Sequence, residues 1–213
     1  MSETPVDLAT WPRTAQFEWF RGYERPHYAT TTRLDVTDLM EQGKQAGLPV
    51  YRTCLFAIGA GLHAVPELLM RFREGTVVIH DRVALSMTVP TPSGSFNYAY
   101  VPFVPERDAF LAQAQEIIAA TAVRADLDAN DGTTDDVAYL SCMPWLDYTS
   151  LNNAMPHKDD CIPRVGWGKI VQEADGRWRM AMTLEVHHAL VDGEQVGAFF
   201  NATQEVFNKI LGG

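Results

Sequence analysis

The sequence predicts an α/β protein, built as a mixed β-sheet covered by helices in two layers. Three observations carry this expectation. Segments such as Trp178–His187 alternate apolar and polar residues with the period of a half-buried strand. Other segments, at 51–69, 107–123 and 194–211, repeat apolar residues every three or four positions, the period of an amphipathic helix. The two kinds of segment interleave along the chain, as layered α/β folds require. With 213 residues and 46% hydrophobic content, the chain suits one domain over 1–213 with a full core.

Taken in order, Phe17 and Phe20 fall on a short helix after Pro12. Residues 30–36 alternate as a strand. Over 51–69, Leu55, Ile58, Leu62 and Val65 make one apolar helical stripe. Residues 77–80 and 83–89 are rich in branched side chains and read as strands, and 90–94 reads as a turn. The helix over 107–123 is expected to bury Phe110, Ala114, Ile117 and Ile118. The run DLDANDGTTDD at 126–136 has the composition of an exposed loop. Strands are expected at 137–142 and 165–172. The turn Ala174-Asp175-Gly176 then leads into Trp178–His187, where Met180, Met182, Leu184 and Val186 mark one face. The last helix, 194–211, carries Val196, Phe199, Phe200, Val206, Phe207 and Ile210.

Composition excludes some functions. Lys plus Arg is 17 and Asp plus Glu is 27, a formal charge of −10. A general nucleic-acid binder needs clustered basic residues, so nucleic acid is not an expected partner, although a few local cations could still hold a small anion. No apolar run reaches the ~18 residues of a membrane span, and the N-terminal residues lack the pattern of a signal peptide. Cys54, Cys142 and Cys161 are odd in number and widely spaced. They fit reduced thiols and a cytoplasmic setting. There is no C-x-x-C or H-E-x-x-H spacing, so no metal is expected.

The motif with chemical content is His187-His188-Ala189-Leu190-Val191-Asp192-Gly193, between a predicted strand and a predicted helix. A histidine at a rigid strand end can act as a general base near neutral pH. The aspartate can brace the turn through an ion pair, and glycine relaxes its backbone. Structural readings stand beside this. His187 is expected to support the turn. His27, His63, His80 and His157 have no motif around them and read as structural or exposed, and Asp159-Asp160 reads as solvated.

Further motifs run through Trp11-Pro12-Arg13 with Phe17-Glu18-Trp19-Phe20, then Pro66-Glu67-Leu68 and 75–81. They continue through Ser141-Cys142-Met143-Pro144-Trp145, Pro163 to Lys169, and His187 to Gly193. In the order and spacing of these pieces the chain resembles the chloramphenicol acetyltransferase family along nearly its whole length. The short histidine motif alone also occurs in dihydrolipoamide acyltransferases and peptide-synthesis condensation domains.

The resemblance implies a homotrimer with an active site at each subunit boundary, acetyl-CoA as cosubstrate and a hydroxyl of a small molecule as acceptor. His188 then aligns with the general base and Ser141 with the serine that hydrogen-bonds the oxyanion. Asp192 aligns with a structural carboxylate whose partner is expected at Arg13. Tyr51, Trp145 and Lys169 fall at CoA-contacting positions. Trp19, Phe20, Tyr28, Ser95, Asn153 and Gly166 fall at acceptor-side positions. Three of these depart from the family pattern: Phe20 replaces a tyrosine, Asn153 an apolar residue, and Gly166 a threonine that positions a water. Two alternatives therefore stay open beside chloramphenicol acetylation: the same chemistry on another small acceptor, and a non-catalytic trimeric binding homologue. A serine hydrolase using Ser141, His188 and Asp192 is disfavoured, because Ser141 lacks a G-x-S-x-G elbow.

Overall fold

The computed structural model describes residues 2–130 and 134–211. Part of the 126–136 loop, residues 131–133, lies outside them. Strand β1 (Glu3–Pro5), helix α1 (Thr14–Arg21) and strand β2 (His27–Asp35) come first. Helix α2 (Val50–His63) precedes strands β3 (Met70–Arg73), β4 (Thr76–His80), β5 (Ala84–Pro90) and β6 (Phe96–Pro102). Helix α3 (Arg107–Ala122), strands β7 (Val137–Cys142), β8 (Arg164–Gln172) and β9 (Trp178–His187), and helix α4 (Gly193–Asn208) complete the order.

The main sheet runs β2-β9-β8-β7-β5-β6, and a small sheet runs β1-β4-β3. Strand β7 lies parallel to both β5 and β8, while the other neighbours in the main sheet are antiparallel. The sheet is therefore mixed, as the sequence predicts.

Register makes the two faces of this sheet chemically opposite. Residues paired across strands share a face, and successive residues alternate faces. One transverse row is Leu184, Val165, Leu140, Met87 and Ala99, all buried in the core. The next row along is Glu185, Arg164, Tyr139, Ser86 and Tyr100, on the other face. Thr183, Gly166 and Ser141 form part of a second polar row. The apolar face joins the helices in the hydrophobic core. Helices α2 and α4 pack on each other and approach closely at Gly61. A Cβ there would lie 2.1 Å from Thr203 Oγ1.

Several element expectations are corrected. The 51–69 helix stops at His63, and Pro66–Leu69 forms a 3₁₀ turn. The cause is Pro66, which disfavours helical geometry at the residue before it; Val65 is extended at φ −125° and ψ 100°. In α3, Phe110 and Ala114 are fully buried, while Ile117 and Ile118 pack only partly against the core. Leu111 and Thr121 are the additional buried positions. Strands β1, β3 and β6 are not predicted. Strand β1 is three exposed residues with no apolar period, and β6 is an edge strand rich in tyrosine and phenylalanine.

Candidate active site

Strand β9, paired on both sides by β2 and β8, delivers the histidine pair to its C-terminal end. His187 pairs with His27, and the His188 N–H donates to Pro26 O at 2.9 Å, extending the pairing by one residue. The chain then turns: the N–H groups of Leu190 and Val191 donate to His187 O at 3.0 and 3.2 Å. His187 is 2% exposed and engaged at both ring nitrogens. Its Nδ1 accepts from the Ala189 N–H at 3.1 Å, and its Nε2 lies 3.0 Å from Lys158 O. Burial, with His27 adding, pushes its pKa down to about 4. A neutral, doubly bonded ring fixes the turn, which is the structural role expected for it.

Asp192 caps the N-terminus of α4, and its N–H donates to Gln195 Oε1 at 3.0 Å. Its carboxylate pairs with the Arg13 guanidinium, with Asp192 32% and Arg13 11% exposed. Burial alone would raise the Asp192 pKa. The bond and charge of Arg13, with His188 adding, outweigh burial and hold the carboxyl below its ordinary value. Arg13 precedes α1 and Asp192 follows β9, so the pair ties the N-terminal segment to the histidine turn across 179 positions.

His188 stacks flat on Phe20, with ring centroids 3.8 Å apart and planes 7° apart. Tyr28 flanks it at 4.7 Å, and the Tyr28 hydroxyl donates to Val191 O at 3.2 Å. Burial, then the Asp192 charge, raises the Tyr28 pKa to about 12, so the phenol stays protonated. His188 Nδ1 lies 3.0 Å from Asp192 Oδ1. The two atoms are close but not aligned as a hydrogen bond, so the contact counts as electrostatic. A carboxylate only accepts, so it favours the proton on Nδ1 and leaves Nε2 with a free lone pair. The side chain is 35% exposed.

Ser141 lies elsewhere. It stands opposite Gly166 on the polar face and lines a cavity of about 750 Å³ with Ser86, Tyr98, Tyr139, Asn153 and Arg164. Gly166 in turn pairs with Thr183, five positions before His188 on β9. Two strand spacings and five residues of rise put the two residues about 19 Å apart within one chain. A separate groove of about 620 Å³, bordered by Phe56, Ala60, Val206 and Ile210, contains none of the motif residues.

Gly166 is enclosed. A Cβ there would lie 2.3 Å from Leu151 Cδ2, and the Tyr148 hydroxyl donates to Gly166 O at 2.8 Å. Tyr148 also accepts from Thr183 Oγ1 at 3.3 Å. The space of a side chain at 166 is thus taken by Leu151.

Tyr51 packs against Trp167, with ring centroids 5.8 Å apart. Trp167 O accepts from the Met143 N–H at 2.9 Å, and Leu146 O accepts from the Lys169 N–H at 2.7 Å. These bonds draw Tyr51, Trp145 and Lys169 toward the end of β7. Trp145 is 72% exposed, and Lys169 is exposed without an ion pair among the described residues. Trp19 is also exposed, its indole N–H donating to Tyr23 Oη at 3.0 Å. Ser95 sits in the exposed turn between β5 and β6. Neither Trp19 nor Ser95 lines the Ser141 cavity. Phe20 and Tyr28 gather at His188, while Asn153 gathers with Ser141.

One reading is overturned. Asp160 is not solvated: it is 9% exposed and pairs with buried Arg164 at 2.8 Å. Asp159 is exposed and pairs with Arg21 at 2.8 Å. The sequence reading also passes over Glu185, Tyr139 and Arg164. Their signal is the polar alternation that interrupts otherwise apolar strands. Among the described residues no three His, Cys, Asp or Glu side chains cluster as a metal site, and no helix is long and apolar enough to cross a membrane.

The mixed sheet, with a histidine at the end of β9 braced by an arginine–aspartate pair, defines an acyltransferase. The chain belongs to the chloramphenicol acetyltransferase family, whose model matches residues 1–204. It is 25% identical to chloramphenicol acetyltransferase 3 of Escherichia coli over 213 residues, covering 99% of this chain and 100% of that protein. A solved chloramphenicol acetyltransferase structure superimposes with a TM-score of 0.90 at 22% identity, covering 97% of this chain and all of the other. The cubic core of the pyruvate dehydrogenase multienzyme complex shares the fold more distantly, with a TM-score of 0.64 at 16% identity and coverage of 92% and 87%.

Proposed function

We propose that residues 1–213 form one domain that transfers acetyl from acetyl-CoA to a hydroxyl of chloramphenicol, working as a trimer with its sites between subunits. The observation that carries the intersubunit site is the strand register, Ser141 opposite Gly166 opposite Thr183, which at ordinary strand spacing and rise separates Ser141 from His188 by about 19 Å within one chain. A base and an oxyanion donor must both lie within hydrogen-bond reach of one reacting centre. A single chain cannot supply both, whereas His188 of one copy and Ser141 of the next can.

In this reading, His188 Nε2 takes the proton of the acceptor hydroxyl as its oxygen attacks the thioester carbonyl. The Ser141 hydroxyl donates to the oxyanion. A C–O bond forms, the C–S bond breaks, and His188 returns the proton to the departing thiolate. The Phe20 stack holds the imidazole in place, while Asp192 and Arg13 fix its turn. Tyr51 and Trp145 offer aromatic surface to CoA, and Lys169, without an ion pair among the described residues, offers charge to a phosphate. Phe20, Tyr28 and Trp19 wall the acceptor from the His188 side, and Asn153 and Leu151, over Gly166, from the Ser141 side. Holding both substrates together supplies much of the acceleration without an acyl-enzyme.

The test is release of free thiol from acetyl-CoA in the presence of chloramphenicol, compared with His188→Ala. Release that needs both the drug and His188 supports the reading. Normal turnover by His188→Ala would sink the mechanism. Acetyl-CoA binding without turnover of chloramphenicol would point to another acceptor or to a binding protein.

A further inference from the structure

Glu185 is a buried charge with an unusual partner. It is 4% exposed on β9, and among the described residues it has no ion pair. The cation opposite it on β8, Arg164, is engaged by Asp160 at 3.1 and 2.8 Å. Glu185 Oε2 accepts instead from Asn153 twice, from the backbone N–H at 2.7 Å and from Nδ2 at 2.8 Å. Burying a carboxylate costs several kcal/mol unless it is satisfied, so these two bonds are strong constraints on the loop.

The chemistry of this pair fixes a direction. A carboxylate can only accept, so the Asn153 amide must present its nitrogen to Glu185. Its Oδ1 is then the group left over. Asn153 lines the cavity that also holds Ser141, and Oδ1 makes no hydrogen bond to the described residues. A lone acceptor, pinned at its other end, selects a ligand that donates.

We propose that Glu185 and Asn153 form a subsite that reads a hydrogen-bond donor, O–H or N–H, on the acceptor molecule, away from the hydroxyl being acetylated. Asn153 touches the substrate, and Glu185 is a positioning residue acting through it. The proposal rests on the acetyl-transfer reading above and adds the class of acceptor: one carrying a second donor. Chloramphenicol is of this class, since it bears a second hydroxyl and an amide N–H besides its primary alcohol.

The experiment compares chloramphenicol with two analogues, one lacking the secondary hydroxyl and one N-methylated at the amide. The enzyme is expected to lose about 10- to 100-fold in kcat/KM on one of them, the range for an acceptor group left unpaired. Asn153→Leu should erase that discrimination while leaving the KM for acetyl-CoA unchanged. Glu185→Gln can donate as well as accept, which frees the Asn153 amide to turn. It should shrink the discrimination without lowering the melting temperature. Unchanged discrimination in either variant overturns the proposal. If the wild-type protein acetylates none of the three compounds, the acceptor reading fails, and hydrogen exchange at the Asn153 amide decides the clamp. Loss of protection in Glu185→Leu upholds it, and retained protection overturns it.

Discussion

Mixing two inactive variants gives a sharp test of the proposed intersubunit site. His188→Ala removes the base, a loss of roughly 10²- to 10⁴-fold. Ser141→Ala removes one oxyanion donor, a loss of roughly 10²- to 10³-fold. The two residues sit about 19 Å apart within one chain. A complete site in a mixed trimer therefore arises only where the Ser141→Ala subunit lends its His188 to the Ser141 of a His188→Ala subunit. Every trimer containing both variants has one such boundary among its three, because a cyclic assembly repeats one heterologous contact around the ring. With equal, random assembly, three-quarters of the trimers are mixed, so about 25% of wild-type sites return. The assay is thiol release after co-refolding equal amounts of the variants, with each variant refolded alone as control. Activity near one-quarter of wild type, against parents at 1% or below on these magnitudes, is the expected result. Mixtures no more active than their parents would refute the reasoning, because a site contained in one chain cannot be repaired by mixing.

Three other outcomes follow from the geometry. Arg13→Ala strands the Asp192 carboxylate and should lower unfolding free energy by about 2 kcal/mol in urea titration, less than the roughly 3–5 kcal/mol of a fully buried pair because Asp192 is 32% exposed; an unchanged midpoint would refute the brace. Gly166→Ala drives a Cβ to 2.3 Å from Leu151 and should cost about 1–3 kcal/mol of stability, with Leu151→Ala relieving it in the double variant. His187 has a folded pKa of about 4, below its unfolded value. The unfolded chain therefore takes up its proton first as pH falls. Stability from this group is full above about pH 6.5 and is lost toward pH 4, to a total of about 3 kcal/mol. The stability difference between wild type and His187→Gln, read by urea titration, should shrink across that window; a constant difference would refute the assignment.

Much of the fold was legible because periodicity survives folding. Strand β9 and helix α4 follow the predicted alternation and 3.6-residue stripe. Helix α2 ends early for a reason also present in the sequence, since Pro66 disfavours helix at the residue before it. The edge strands were not legible: β1 has no buried residue, and β6 alternates aromatic residues on a half-exposed face. Asp160 reads as solvated because, although its partner Arg164 lies only four positions on, the pair is buried by the sheet and not by any local pattern.

The sequence by itself determined the family and the histidine turn, and it named the residues proposed to carry the chemistry, because motif order and spacing are properties of the chain. Only the tertiary structure decided where those residues meet. Strand register sets His188 and Ser141 far apart, while packing of α1 and of the loop before β8 stacks Phe20 on the imidazole and closes Leu151 over Gly166. The same loop turns the Asn153 amide toward Glu185. These are contacts between residues distant in sequence, fixed by packing and by the pairing of buried polar groups, and no local pattern encodes them.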